Sequence, residues 1–329
     1  MPQASAGGNR LVTVKSVGDG LLMSKGLRWL FTIACVASLT GCIEFERQTV
    51  SYRYDAKSDT IRFFQHYQGI FGASNTDELS DEEQSQLNSV LTTERTFFFS
   101  NWVFEFNRET IREWLAELKT PEGLEKFKGD VAALPRLEKL LKLVLDSVRV
   151  ENVGFHIGDG GKLCGAQRVT MKNASQIITA ANEVIRDAYK QVAAKPETAV
   201  EERAILEKSV ARQQAYIALD GNRLRVRLPV TRTDYDREFS PDAKPSKQVG
   251  ELVQSGGSLA FDNNELIATF GGVKDDVTTL TLSMSEKQYV SNLLEVVKRK
   301  PGLKGAFDVK AAVAEFLAAP KSEGKKGSP

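Results

Sequence analysis

The side chains with most chemistry to offer are few. His66 and His156 are the only histidines, and Cys164 is one of three cysteines. An imidazole can act as a general base or hold a metal, and a thiol can serve as nucleophile or soft ligand. The spacing assigns none of these roles. Neither histidine belongs to an H-E-x-x-H pair, and no cysteine–histidine cluster has zinc-ligand spacing. No G-x-S-x-G elbow occurs either. Cys164 has no histidine or helix start beside it that would lower its pKa, so it reads as a buried structural thiol. Each histidine reads as structural, and neither metal nor cofactor is expected. One enzymatic alternative stays open, a hydrolase acting on envelope polymer in which His66 or His156 works with a distant acid. Such sites are recognised by geometry and not by spacing.

Groups that could meet an anion or cation are more numerous. Gly158-Asp159-Gly160-Gly161-Lys162 invites a phosphate-loop reading, but the motif would need glycine at position 156 and Ser or Thr at 163, where His156 and Leu163 stand. The glycines suit a hairpin turn better. Asp77, Glu78, Asp81, Glu82 and Glu83 lack the alternation of a calcium loop and fit the N-terminus of a helix, where negative charge is favoured. Leu224, Val226, Leu228 and Val230 alternate with Arg223, Arg225 and Arg227, giving a strand with one apolar face and one row of guanidinium groups. That row is a candidate contact for phosphate or an anionic polymer. The competing reading is a solvated face, or one paired with acids on a neighbouring element. Aromatics for base stacking are few nearby, and the 44 basic and 43 acidic residues create no global field, so no nucleic-acid partner is expected.

A different signal lies near the start. Lys25 and Arg28 precede an apolar run over residues 29–39, which ends in Leu39-Thr40-Gly41-Cys42. This is the layout of a secretory signal, and the run falls short of the roughly 20 apolar residues that cross a bilayer. Its ending resembles the bacterial lipobox. In lipoproteins of that type the cysteine sulfur receives a diacylglyceryl group and a signal peptidase cuts just before it. The resemblance covers residues 23–42. It implies a signal peptide over 23–41, a mature chain beginning at Cys42, and attachment to a membrane through lipid on that residue, with palmitate-like acyl chains. Ile43 stands where an inner-membrane retention signal would have Asp, which favours the outer membrane. Met23 would give a signal of ordinary length, so residues 1–22 are expected to be an upstream extension. The chain is accordingly expected to be a membrane-anchored envelope lipoprotein of unassigned activity. A binding or structural role towards an envelope protein or polymer leads the hydrolase alternative.

The elements that must position these groups read as α+β, mostly antiparallel sheet built from hairpins and a meander, with several helices packed on it. Residues 50–54 and 61–67 alternate around a turn at 55–59. A capping box at Ser80 opens a helix. Residues 96–106 form the most aromatic strand, with Phe98, Trp102 and Phe104 on one face as a candidate apolar-ligand pocket, hence a third reading as a carrier. Asn107 caps the next helix, and residues 121–145 are helical in two pieces divided near Pro135. A hairpin over 148–171 follows, then a long helix from Asn173, a capping box at Thr198 and a second helix to about Leu219. After the arginine strand, residues 231–250 form the longest loop and a candidate joint. A meander over 258–284 and helices near 287–298 and 308–318 complete one α+β domain spanning 42–320. A disordered tail is expected over 321–329.

Overall fold

The computed structural model describes residues 43–72, 106–121, 133–239, 256–283 and 307–318. The fold is α+β: among these residues two antiparallel sheets, of five and four strands, carry six helices. Strands β1 (Ile43–Asp55) and β2 (Thr60–Gly72) form the first hairpin, whose turn is drawn tight by Asp55 accepting from Lys57 N and Ser58 Oγ. Strands β3 (Val148–Ile157) and β4 (Leu163–Lys172) form the second. The hairpins join through β2 and β4, and β9 (Thr278–Ser283) closes the sheet on β1, giving the order β3-β4-β2-β1-β9.

One face of this sheet is the main core. Val50, Tyr52, Phe63, Val148 and Val169 pack under helices α1 (Arg108–Glu117), α2 (Leu134–Ser147) and α3 (Ala174–Ala194). Asn107 caps α1 as its sequence predicts, accepting from Glu109 N and Thr110 N, and Pro135 sits in the first turn of α2, where its missing N–H costs nothing. Arg108 ties the two helices, donating to the Leu145 and Val148 carbonyls at the end of α2. Helix α3 is capped from far away. Asn173 makes no side-chain cap, and the Asp59 carboxylate in the first hairpin turn accepts from Ser175 N at 3.0 Å.

Three expectations about the helices are corrected. Helix α4 (Val200–Ala211) ends well before Leu219, because residues 217–220 pair as β5 (Ile217–Asp220) with β6 (Arg223–Pro229). Thr198 does not cap α4 but turns its hydroxyl back onto the Val192 carbonyl at the end of α3. The loop expected over 231–250 starts with helix α5 (Arg232–Phe239), opened by Thr231, whose Oγ1 accepts from Asp234 N.

The smaller sheet runs β5-β6-β8-β7, with β7 (Gly257–Asp262) and β8 (Glu265–Phe270) joined by Asn263-Asn264. Both asparagines have positive φ, the geometry of a tight two-residue hairpin. The expected meander is cut here: its third strand, β9, leaves for β1 of the larger sheet. Gly271 makes that departure possible, since at φ +68 a Cβ would lie 2.2 Å from Thr278 Oγ1. Helix α6 (Val309–Leu317), capped by Asp308, covers the remaining face of the larger sheet. No helix among the described residues is long and apolar enough to cross a membrane. Cys42, the Ser80 helix, the strand carrying Phe98, Trp102 and Phe104, the 287–298 helix and the 321–329 tail lie outside the described residues.

Candidate functional site

On β4, Cys164, Ala166 and Arg168 share one face by simple alternation. His66 on β2 is in register with Ala166, so it joins that face. His156 reaches it by an irregularity. Along β3 the partners run Glu151 with Arg168 and Asn152 with Gln167, then jump to Gly154 with Ala166, leaving Val153 as an extra residue. Such a bulge inverts the alternation downstream of it. Before it the odd-numbered Arg149 and Glu151 face the side of Arg168; after it the even-numbered Gly154 and His156 do. Without Val153, His156 would point into the layer beneath α1, α2 and α3.

The outcome is a buried three-residue cluster. His66 Nε2 lies 3.1 Å from His156 Nε2, the rings stack with centroids 5.2 Å apart, and Cys164 sits directly across from His156. One ring nitrogen from each histidine and the Cys164 sulfur all lie within 4.8 Å of one another. All three side chains are buried, His66 to 7%, His156 to 2% and Cys164 to 3% exposure. The contact between two Nε2 atoms requires one imidazole to donate and the other to accept. Burial, together with the neighbouring His156, lowers the pKa of His66 to about 4, so the ring is neutral at ordinary pH. Burial raises the Cys164 thiol, although the backbones of Gly69 and Gly158 offer hydrogen bonds that favour the thiolate. Gly158 presses on the sulfur so closely that a Cβ there would lie 2.4 Å from it.

The cluster is roofed by the C-terminal segment. Phe307 lies against His156, the rings tilted by 45° with centroids 4.8 Å apart, and Ala312 packs with Phe64 and Ala166. Helix α6 is held down at its far end, where Arg62 donates to the Phe316 carbonyl and Arg53 to that of Leu317. A cavity of about 330 Å³ opens beside this roof, lined by Glu151, Asn152, Arg168, Phe307 and Glu315 among others. Phe307 thus belongs to both the cavity wall and the cover of His156.

The opposite face of the same strands carries a second polar group. Gln65, fully buried, accepts from the Tyr67 hydroxyl, and Gln167 donates to Asn152 Oδ1 at 2.5 Å. These amides fix the strands laterally and bring no nucleophile or base together.

The arginine stripe is largely absorbed. Arg227 lies 3.4 Å and Arg212 3.5 Å from the buried carboxylate of Glu265, and Arg223 pairs with Asp220 at 2.5 Å. Arg225 alone of the three has no ion pair among the described residues. The reading of this row as one paired with neighbouring acids therefore describes Arg223 and Arg227. The glycines at 158–161 form the expected hairpin connection, closed by Gly158 N donating to the Lys162 carbonyl.

Sequence spacing could not reveal the cluster, because its members come from three strands and lie 90 positions apart in the case of the two histidines. One signal was present. Gly154 interrupts a strand pattern, which marks a bulge, and it adopts φ +107. Comparison of the chain with family models, with curated proteins and with solved structures finds no match.

Proposed function

We propose that this chain is a lipid-anchored envelope protein that acts by binding, held close to the surface of the outer membrane. The observation that carries the reading is the junction between lipobox and fold. Leu39-Thr40-Gly41-Cys42 is followed at once by β1, which starts at Ile43 and runs unbroken into the central part of the larger sheet. A lipid on Cys42 would therefore pull on a structural strand and not on a flexible stalk. Several acyl chains would make such an anchor firm, since each buried CH2 contributes about 0.8 kcal/mol.

A binding role has more support than the hydrolase alternative. Among the described residues His66 hydrogen-bonds to His156 and to no carboxylate, and Phe307 covers the His156 ring. A general base needs a partner acid and a path for substrate.

Intact mass of the protein purified from native membranes, beside the Cys42→Ala variant, tests the anchor. The expected result is a chain beginning at a diacylated Cys42, replaced in the variant by an unprocessed or soluble form. An unmodified Cys42 in the native protein overturns the proposal.

A further inference from the structure

We infer that His66, His156 and Cys164 form a binding site for a single thiophilic metal ion, with monovalent copper as the ion that fits it. The inference stands apart from the lipid anchor and does not depend on it.

The donor set comes first. Two imidazoles and one thiol converge in a buried space, with one nitrogen of each ring and the sulfur within 4.8 Å of one another. Around a metal with M–N of about 2.0 Å and M–S of about 2.3 Å, trigonal geometry places the nitrogens about 3.5 Å apart and each about 3.7 Å from sulfur. The present N–N separation is 3.1 Å, so the rings need part by only a few tenths of an ångström, and a nitrogen–sulfur separation at the 4.8 Å limit closes by about 1 Å. A mixed nitrogen and thiolate set selects copper or zinc over magnesium or calcium.

Charge and coordination number choose between copper and zinc. Zinc in a structural site takes four ligands, and the cluster supplies three among the described residues. A divalent ion with one thiolate would also leave a net positive charge in the apolar surroundings of Phe64, Ala166 and Ala312, and an uncompensated buried charge is costly. Cu(I) with two neutral imidazoles and one thiolate is neutral as a whole and is satisfied by three ligands.

The binding step balances. The Cys164 S–H bond breaks, its proton passes to solvent, and a Cu–S bond forms with no change of oxidation state. The histidine that donates in the present pair moves its proton from Nε2 to Nδ1, so that both Nε2 lone pairs face the ion. The Cys164 thiol gives up its contact with the Lys162 carbonyl, now 3.7 Å, and the nearby backbones of Gly69 and Gly158 favour the thiolate, in the way outer-shell groups commonly support metal-bound sulfur. Access runs through the cavity beside α6, with Phe307 as the side chain that must swing aside.

The test uses the full chain in a Cys35→Ser, Cys42→Ser background, which leaves Cys164 as the sole thiol. Cu(I) is titrated against a chromophoric Cu(I) chelator under anaerobic conditions, and Zn(II) in a parallel titration. The expected result is one Cu(I) per chain, held at least about 100-fold more tightly than in Cys164→Ser or His156→Gln. X-ray absorption of the loaded parent should show one sulfur and two nitrogen scatterers. That measurement needs no substitution at the three ligands, so it decides the matter even if a ligand variant fails to fold. Absence of stoichiometric Cu(I) binding, binding that survives both substitutions, or a scattering shell without sulfur overturns the site. Tighter retention of Zn(II) than of Cu(I) overturns the choice of ion.

Discussion

His66 and His156 stand on strands that never touch, yet their Nε2 atoms are 3.1 Å apart. They meet over Ala166 of the strand between them, which is in register with His66 on one side and Gly154 on the other. Strands two apart in a sheet are separated by about 9.5 Å. Two imidazoles can close that gap only if nothing larger than a methyl group rises between them.

Ala166→Leu should therefore separate the rings. Overpacking at a site only 3% exposed costs about 1–3 kcal/mol. Copper binding should fall with it although no ligand is removed. Chemical denaturation gives the first quantity and the chelator competition the second. Full copper affinity in a folded Ala166→Leu protein would show that the rings do not need this gap.

The bulge makes a sharper prediction. Deleting Val153 restores simple alternation along β3 and turns His156 towards the helix-packed face, where burying an imidazole without a partner costs about 2 kcal/mol or more. Val153→Ala keeps the residue count and so keeps His156 in place. The deletion should lower the denaturation midpoint sharply and abolish copper binding, whereas the alanine variant should bind as the parent does. Equal behaviour of the two would mean that the extra residue does not set the direction of His156.

The contrast between these variants shows why the frame was legible in sequence and the site was not. Period-two alternation, turn residues such as Asp55 and Asn263, and the Asn107 cap are local signals, and they place strands and helices where they occur. Strand partners are not local. Nothing near residue 278 says that β9 will leave β8 for β1, and nothing near residue 173 says that Asp59 will cap α3. The cluster depends on two such facts at once, the docking of β4 against β2 and the parity change at Val153. Reading residues 148–157 as a regular strand put His156 on the opposite face from Phe155 and Ile157, which holds, but could not show which face that was.

Glu265 tests the arginine stripe. Its carboxylate is 4% exposed and is approached by Arg212, Arg227 and the Ser209 hydroxyl. Removing one side of a buried ion pair strands the other, at a cost of about 3–5 kcal/mol. Both arginines here keep some contact with water, so Glu265→Ala should fall at the lower end. Arg225→Ala, with no ion pair to break among the described residues, should change stability by less than about 0.5 kcal/mol. Should the outer row serve an anionic polymer, Arg225→Ala would weaken retention on an anionic resin while leaving the denaturation midpoint alone. Loss of stability at Arg225 comparable to that at Glu265 would contradict this division of roles.

Tyr52 joins the two sheets, and its chemistry gives the pH dependence. The hydroxyl, on a side chain 3% exposed, donates to the Asn222 carbonyl at 2.8 Å, with the Phe270 carbonyl at 3.2 Å. Asn222 fastens the same junction by accepting from Tyr54 N and donating to the Asp275 and Asp276 carbonyls. Removing the hydroxyl in Tyr52→Phe leaves the carbonyls without this donor, at a cost of about 1–2 kcal/mol. Burial raises the Tyr52 pKa to about 12, against about 10 in an unfolded chain. Between these values the unfolded chain releases a proton that the folded one retains. The stabilisation is therefore complete below pH 10 and is lost as pH rises towards 12, by up to about 3 kcal/mol. Tyr52→Phe has no phenol to ionise at this position, so its stability should be lower at pH 8 but decline less steeply from pH 10 upwards. Denaturation midpoints for the two proteins at pH 8, 10 and 11 measure both effects, and parallel curves across that range would remove Tyr52 as the source of alkaline sensitivity.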